Sequence, residues 1–186
     1  MTQAAAVLLI EEGPEAVTHR RVATAADVPT GSASYYFPTQ AALYAAAVQA
    51  AENLRSTSAQ EYADSLARRH RSARRTAELL LETWYAPALD QAVVSRRLRP
   101  MLEAMTDPSL RPIMMASRPT LLTALKTTLE RSGWTDVATS RDVDLLVRML
   151  DAALLHSAAA GERDPVHDAI SIVARLLELV RGMIEP

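Results

Sequence analysis

The sequence predicts an all-α protein with a small N-terminal three-helix head and a larger C-terminal helical domain. The 186 residues include 34 alanines, and the other strong helix formers leucine, arginine and glutamate are plentiful. Only five residues are glycine, and Gly13, Gly133 and Gly161 each follow a helix-like stretch, where a C-cap glycine lies. The sequence contains no alternating strand–turn pattern, no glycine-rich phosphate loop and no repeat of fixed period.

The first forty residues predict three short helices and the start of a long one. Gly13 and the proline after it end the first helix, and Thr18 is placed to cap the second. Asp27 tolerates left-handed backbone and Pro29 biases the preceding residue away from the α region, so a turn is expected there. Thr39 then caps the long helix. The expected helices span residues 2–12, 19–26, 30–36 and 40–68.

Beyond residue 70 the sequence predicts longer helices. Pro100 is expected to bend or break one of them and Pro119 to kink another near its middle, because proline lacks the N–H donor that a helix interior uses. Pro165 suits the first turn of the last helix. These helices are expected at residues 72–86, 90–106, 109–132, 140–160 and 165–184.

Composition and charge exclude several classes of function. With 20 Lys and Arg against 22 Asp and Glu, the net charge of −2 is not that of a generally basic nucleic-acid binder. Cysteine is absent, which excludes disulfides, thiolate metal sites and cysteine nucleophiles. The apolar run Ala4–Ile10 is far shorter than the roughly 20 residues that span a bilayer. We therefore expect a cytoplasmic protein without a membrane segment.

No catalytic or cofactor motif is present in the sequence. The four histidines, at positions 19, 70, 156 and 167, lack the spacing of a zinc site. Neither a Gly-x-Ser-x-Gly elbow nor a nucleotide fingerprint occurs. The expectation is a protein that is not an enzyme and that has no cofactor and no metal.

Residues 18–40 follow the plan of a helix-turn-helix, with a helix, a tight turn and a short second helix. The second helix is too short to be stable alone, yet it carries a concentrated set of polar tips. Three of the eight aromatic residues of the chain lie together at 35–37. The alternative is a small helical subdomain that only packs. Small apolar residues that can form the seam between the two helices are Val22, Ala23, Ala26 and Val28.

The stretch Ala4–Leu43 resembles the DNA-binding domain of the tetracycline-repressor (TetR) family of bacterial transcriptional regulators. The resemblance covers roughly a fifth of the chain, and the later helices match the family only in number, length and order. The residues that carry it are Ala4, Ala5, Leu8, Gly13, Thr18, Arg21, Val22, Ala23, Ala26, Val28, Gly31, Ser32, Tyr35, Tyr36, Phe37, Thr39 and Leu43.

The resemblance implies that the second helix of the motif enters the major groove of double-stranded DNA. Residues 30–32 would face base edges, and Arg20 would contact a base edge or a phosphate. Tyr35 and Tyr36 match positions that contact phosphates, sugars or thymine methyl groups. The implied DNA-binding residues are Thr18, His19, Arg20, Thr30, Gly31, Ser32, Ser34, Tyr35, Tyr36, Thr39 and Gln40.

Three departures from the family pattern lower the expected affinity for DNA. Ser34 stands where many relatives carry an aromatic residue, and Gln40 stands where a lysine commonly meets a phosphate. The usual short basic arm before the first helix is absent. Residues 1–50 carry only Arg20 and Arg21 against four acidic residues. We nevertheless expect DNA binding, because the arginines and hydroxyls are expected on the groove face and the glutamates near the end of the first helix.

The resemblance also implies a division of the chain into a helix-turn-helix DNA-binding domain, residues 1–45, and an effector-binding and dimerisation domain, residues 46–186. The second domain is expected to bind an unknown small-molecule effector among its helices. Methionines adapt to irregular apolar ligands, although a methionine or tryptophan on a helix is more often simple core. The candidate lining residues are Trp84, Met101, Met105, Met115, Arg118, Leu122 and His156.

The last two helices have apolar faces wider than one core contact needs, which predicts a homodimer. The helix expected at residues 140–160, for example, has a second apolar side that contains Leu145 and Met149. The alternative is a helix pair wholly buried in a monomer. The candidate interface residues are Leu150, Leu154, Val166, Ile170, Val173, Leu177, Val180 and Ile184.

These features together predict a ligand-responsive transcriptional regulator. It is expected to act as a repressor that binds a palindromic DNA operator as a homodimer and is released by a small-molecule effector. The alternative is a helical dimeric module that binds a small molecule or a protein and has lost DNA binding.

Overall fold

The computed structural model describes residues 1–87, 98–138, 140–161 and 163–184, apart from the side chains of residues 140–142, 158, 183 and 184. The regular structure in these ranges is helical, which confirms the predicted fold class. Two 3₁₀ turns lie at Pro14–Ala16 and Thr135–Val137. The α-helices are α1 Thr2–Glu12, α2 His19–Ala25, α3 Thr30–Tyr36, α4 Gln40–Ser65, α5 Ala73–Trp84, α6 with residues 98–103 as its described part, α7 Arg111–Ala116, α8 Arg118–Arg131, α9 Ser140–Ala159 and α10 Pro165–Ile184.

The predicted helix caps of the head are confirmed. The side-chain oxygen of Thr18 accepts a hydrogen bond from the backbone N–H of Arg21 at 3.3 Å, and that of Thr39 accepts one from Ala42 at 3.1 Å. Each bond satisfies one of the N–H groups that the first turn of a helix leaves without a partner. Gly13, Gly133 and Gly161 all have positive φ, a backbone conformation that glycine adopts without steric cost. Local chemistry therefore fixes where the short helices begin and end.

The turn between α2 and α3 is built around Asp27, whose φ of 52° lies in the left-handed region. Its N–H donates to the carbonyl of Thr24 at 3.2 Å, and the N–H of Val28 donates to the carbonyl of Ala23 at 3.0 Å. This pair of bonds is the Schellman arrangement, which closes a helix and reverses the chain within a few residues. The turn predicted at Asp27 is thus confirmed.

Three predicted helix boundaries are wrong. The helix expected at 109–132 is two helices, α7 and α8, because Pro119 lies in the first turn of a new helix instead of kinking a continuous one. Of the helix expected at 90–106, residues 90–97 lie outside the described ranges, and the rest ends at residue 103. Helix α4 ends at Ser65 and not near residue 68.

The chain divides into two compact units. The N-terminal unit comprises Met1–Arg55 and Ala92–Arg118, and the C-terminal unit comprises Ser56–Gln91 and Pro119–Pro186. The first part of the N-terminal unit thus ends ten residues beyond the boundary expected after residue 45. The same unit also includes the later segment Ala92–Arg118. The core of the N-terminal unit joins the first turns of the head to later helices through Ala5, Leu8, Leu9, Ala16, Val17, Val22, Leu43, Ala47, Val48, Ala104 and Leu110.

Helix α10 packs against α5 and α9 in the C-terminal unit. The buried face of α9 is aliphatic, with Leu146, Val147 and Leu154 at most 5% exposed. Burial of such side chains is the main stabilising term, at about 1.5–3 kcal/mol each. None of the described helices is both long and apolar enough to cross a membrane. Among the same residues, no group of three His, Cys, Asp or Glu side chains could hold a metal ion.

Candidate nucleic-acid interface

Helix α3 packs on the head through one small side chain. Ala33 is fully buried, as are Val22 and Ala23 of α2 on the other side of the seam. These three small or branched residues let the two helices approach closely, as the sequence predicts. Ala33 is the one buried residue among the seven of α3. Most of the surface of α3 therefore faces solvent.

The exposed surface of α3 carries hydroxyl groups and two aromatic rings. Tyr35 is 81% exposed and Tyr36 is 64% exposed. Their ring centroids lie 5.4 Å apart in an edge-to-face arrangement. Thr30, Gly31 and Ser34 are exposed and Ser32 is half-buried. Two large aromatic side chains left in water cost hydrophobic free energy that the isolated chain does not recover, which is typical of a surface that binds a partner.

Residues at both ends of the motif hold α3 in place. His19 Nε2 lies 2.7 Å from the carbonyl oxygen of Phe37, which joins the start of α2 to the end of α3. The amide nitrogen of Gln40 donates to the carbonyl of Val17. Two of the residues implied to touch DNA, His19 and Gln40, therefore make hydrogen bonds between segments of the head, and two others, Thr18 and Thr39, cap helices.

The two arginines of the head differ in their surroundings. Arg21 Nη2 lies 2.5 Å from a carboxylate oxygen of Glu12. Arg20 is exposed, and none of the described carboxylates forms an ion pair with it. Arg20 is thus the cation of α2 whose charge stays available to a phosphate or a guanine edge. The N-terminal unit as a whole holds eight arginines against seven acidic residues, so the negative balance of residues 1–50 does not extend to the unit.

Gly31 occupies the first turn of α3, and the fold of the chain does not require a glycine there. A Cβ built at this position would meet no atom of the protein within 4 Å, and its φ is not positive. A glycine in a helix is less favourable than alanine by up to about 1 kcal/mol. The absence of a side chain at Gly31 leaves this part of the α3 surface open to an approaching molecule.

In the N-terminal unit, hydrogen bonds to the carboxylates of two glutamates connect three separate elements. The Tyr44 hydroxyl donates to Glu103 at 2.5 Å, Arg99 donates to Glu103 at 3.0 Å, and Arg99 reaches Glu15 at 2.9 Å. Burial raises the pKa of Tyr44, and the hydrogen bond to Glu103 raises it further. These contacts join α4 and α6 to the 3₁₀ turn before α2. Sequence reasoning missed them, although the four-residue spacing of Arg99 and Glu103 was visible.

The residues predicted to line an effector pocket do not come together in one described cavity. Trp84 is buried and its indole N–H donates to Asp151 at 3.1 Å. Leu122 lines a cavity of about 210 Å³ with Lys126. Met105 and Met115 are mostly exposed. The remaining three are exposed or half-buried, namely Met101, Arg118 and His156.

Sequence reasoning missed a second cavity, of about 320 Å³, in the C-terminal unit. The Tyr62 hydroxyl donates to Glu82 at its edge. The neighbouring pair Glu61 and Tyr62 on α4 was the visible signal, but the sequence does not show that α5 brings Glu82 to it. The lining residues are Ser58, Glu61, Tyr62, Glu82, Ala86 and Pro87.

The candidate dimer residues divide between the core and the surface of the C-terminal unit. Four of them are buried within their own chain, namely Leu150, Leu154, Val173 and Leu177. Val166, Ile170 and Val180 are half-buried, and the side chain of Ile184 lies outside those described. Among the described side chains of α9 and α10, the large apolar ones that remain exposed are Leu145, Met149 and Leu179.

The described regular structure of the chain is helical, and α2, the turn and the outward-facing α3 form a helix-turn-helix. These two features define the class of protein as a helix-turn-helix protein. Residues 2–47 match the family model of the bacterial regulatory proteins, tetR family. This match confirms the resemblance of the head to the TetR family.

Two solved structures are similar to nearly the whole chain. The multidrug binding protein EbrR complexed with proflavin is 24% identical, with 94% of this chain and 96% of that chain covered and a TM-score of 0.63. A candidate transcriptional regulator from Saccharomonospora viridis in complex with choline is 17% identical, with 95% and 91% covered and a TM-score of 0.60. At these identities the likeness establishes the fold. No curated protein matches the chain significantly.

Proposed function

We propose that this protein is a ligand-responsive transcriptional regulator that binds double-stranded DNA through α3. The observation that carries the proposal is the exposure of Tyr35 and Tyr36 beside the hydroxyls of α3, on a helix of which Ala33 is the buried residue. Helices of this kind read base edges in the major groove, while the surrounding N–H groups and hydroxyls contact phosphates. The TetR family model over residues 2–47 supports the same function.

The proposal extends to repression by a homodimer on a palindromic operator. Two recognition helices of a dimer reach successive major grooves when they lie one helical turn of DNA apart, about 34–36 Å. The exposed Leu145, Met149 and Leu179 provide an apolar surface for a second copy. A dimer with two-fold symmetry reads a site with the same symmetry.

We further propose that a small molecule releases the protein from DNA. The similar solved structures were determined with proflavin and with choline, two small organic molecules, which supports a ligand of this size here. Such a ligand shifts the population between two conformations only by the difference in its affinity for them. It must therefore bind better to the conformation that does not fit the operator.

Fluorescence anisotropy with a labelled duplex from the region flanking the gene tests DNA binding. Arg20→Ala and Tyr35→Ala should each weaken binding about tenfold or more, because each removes a contact to a base edge or a phosphate. Arg68→Ala is the matched control, because Arg68 is an exposed arginine of the C-terminal unit. Equal effects of Arg20→Ala and Arg68→Ala would contradict the assignment of α3 to the groove.

The same experiment separates the alternative function, a helical dimeric module that binds a small molecule or a protein and no longer binds DNA. The pairing of Arg21 with Glu12 and the engagement of Gln40 within the head favour this alternative. A wild-type protein without affinity for any duplex of the flanking region, even at low salt, would support it, because low salt strengthens all contacts to phosphates.

A further inference from the structure

The cavity in the C-terminal unit between α4 and the end of α5 has an acidic and aromatic lining. Tyr62 and the apolar residues Ala86 and Pro87 form part of its wall, and Glu61 and Glu82 supply two carboxylates. No lysine or arginine is among its described lining residues. Its volume of about 320 Å³ is within the range of pockets that hold small organic ligands, about 300–1,000 Å³.

The two carboxylates are neutralised to different degrees by their surroundings. Glu61 is exposed, and its carboxylate forms no ion pair or hydrogen bond with the residues that the structure describes. Glu82 lies 3.5 Å from Arg75, but Arg75 is closer to Glu78, at 2.8 Å. Among the described lining residues the two carboxylates thus face no lysine or arginine, and the charge of Glu61 is the one that no described cation pairs with, although Arg71 and Arg75 lie near Tyr62.

Tyr62 gives the cavity a fixed aromatic wall. Its hydroxyl donates to Glu82, which holds the side chain in one orientation. Burial raises the pKa of Tyr62, and the hydrogen bond to Glu82 raises it further. A neutral tyrosine ring attracts an organic cation through its electron-rich face.

We infer that this cavity binds a small organic cation, such as a quaternary ammonium or a protonated aromatic amine. Glu61 would attract the positive charge, and Tyr62 would contact the cationic or aromatic part of the ligand. Ala86 and Pro87 would contact its apolar surface. The inference rests on the proposed function, since it names the chemical class of the effector.

An organic cation fits this lining better than a metal ion does. The described residues contain no group of three His, Cys, Asp or Glu side chains that could hold a metal ion. Half of the described lining residues are aromatic or apolar, namely Tyr62, Ala86 and Pro87, and these side chains are poor ligands for a bare divalent ion. An anionic effector would meet the uncompensated charge of Glu61 and be repelled.

Calorimetric titration with choline and with its uncharged carbon analogue 3,3-dimethylbutan-1-ol is the first test. The two molecules have nearly the same shape, so a difference in binding reports the charge alone. We expect choline to bind with a dissociation constant below about 1 mM and the neutral alcohol at least tenfold more weakly. Equal affinities, or no binding of choline at several millimolar, would overturn the inference.

Variants of the lining residues locate the site. Glu61→Gln should weaken choline binding about threefold, as expected for one exposed charge, and Glu61→Gln with Glu82→Gln about tenfold. Asp136→Asn removes an exposed carboxylate of the same unit away from the cavity and should change nothing. If Glu61→Gln and Asp136→Asn weaken choline binding equally, the cation is attracted by the overall negative charge and not by this cavity, which would overturn the site.

Two substitutions of one residue separate the ring from the hydroxyl. Tyr62→Phe keeps the ring and should retain binding of the fluorescent cation proflavin within about twofold, whereas Tyr62→Leu should weaken it about fivefold or more. Circular dichroism of each variant shows that it is folded. If Tyr62→Leu is unfolded, the Glu61→Gln and Asp136→Asn pair still decides the question.

The binding experiments contain no DNA, so the two proposals fail separately. A protein that binds choline through Glu61 but never binds a duplex overturns the proposed function and leaves the cation site standing. A protein that binds its operator but does not distinguish choline from the neutral alcohol overturns the cation site and leaves the regulator standing.

Discussion

Gly31 shows how a single residue separates the needs of the fold from the needs of function. The open space around its position means that Gly31→Ala introduces no clash within the protein. We expect this variant to be more stable by about 0.5–1 kcal/mol, because alanine is the better helix former. We expect its affinity for the operator to fall about tenfold, because the added methyl group would lie where a duplex must approach. Thermal unfolding and anisotropy measure the two effects.

Gly182→Ala is the matched control for Gly31→Ala. Gly182 also lies in a helix, and a Cβ there would also meet no atom within 4 Å. Because Gly182 lies on α10, sedimentation first shows that Gly182→Ala assembles like wild type; the control should then gain stability without losing DNA binding. A Gly31→Ala variant that binds DNA as tightly as Gly182→Ala would show that α3 does not approach the duplex at this point.

At the scale of elements, the junction of α4 with α6 depends on Tyr44 and Glu103. Tyr44→Phe removes their hydrogen bond and should lower the free energy of unfolding by about 1 kcal/mol at pH 7. The pKa of Tyr44 is raised in the folded protein, so its contribution is fully present below the unfolded pKa of about 10 and is lost as pH rises above it. Urea unfolding should therefore show a smaller difference between wild type and variant at pH 11 than at pH 7. An undiminished difference would mean that the hydroxyl is not held by Glu103.

The elements also show what a sequence can and cannot predict. Thr18, Asp27 and Thr39 were predictable because a cap or a left-handed turn depends on residues only two or three positions away. The start of α8 was not, because a proline in a helical sequence is compatible with a kink, a break or a new first turn. Which of these occurs at Pro119 depends on packing that the sequence does not display.

The limits of prediction are clearest in the two terminal helices and in the effector site. Apolar residues on both sides of α9 predict two contacts, but they do not say that Leu150 faces the core while Leu145 and Met149 stay exposed. The acidic cavity depends on which side chain of α5 comes to lie beside Tyr62. Sequence analysis could therefore predict the head nearly in full, since its determinants are local, but not this cavity, whose lining comes from two helices.

At the scale of the whole molecule, the exposed apolar residues of α9 and α10 predict self-association. Leu179 is 57% exposed, so Leu179→Glu should leave the fold intact and place a charge in the proposed interface. Wild type should sediment as a dimer of the 20.3 kDa chain and the variant as a monomer at micromolar concentration. Because a palindromic operator needs two linked heads, the variant should also bind DNA at least tenfold more weakly. Leu102→Glu, at a 46% exposed leucine of the N-terminal unit, is the control and should remain dimeric. A monomeric wild type, or dissociation by both variants alike, would remove α9 and α10 as the site of assembly.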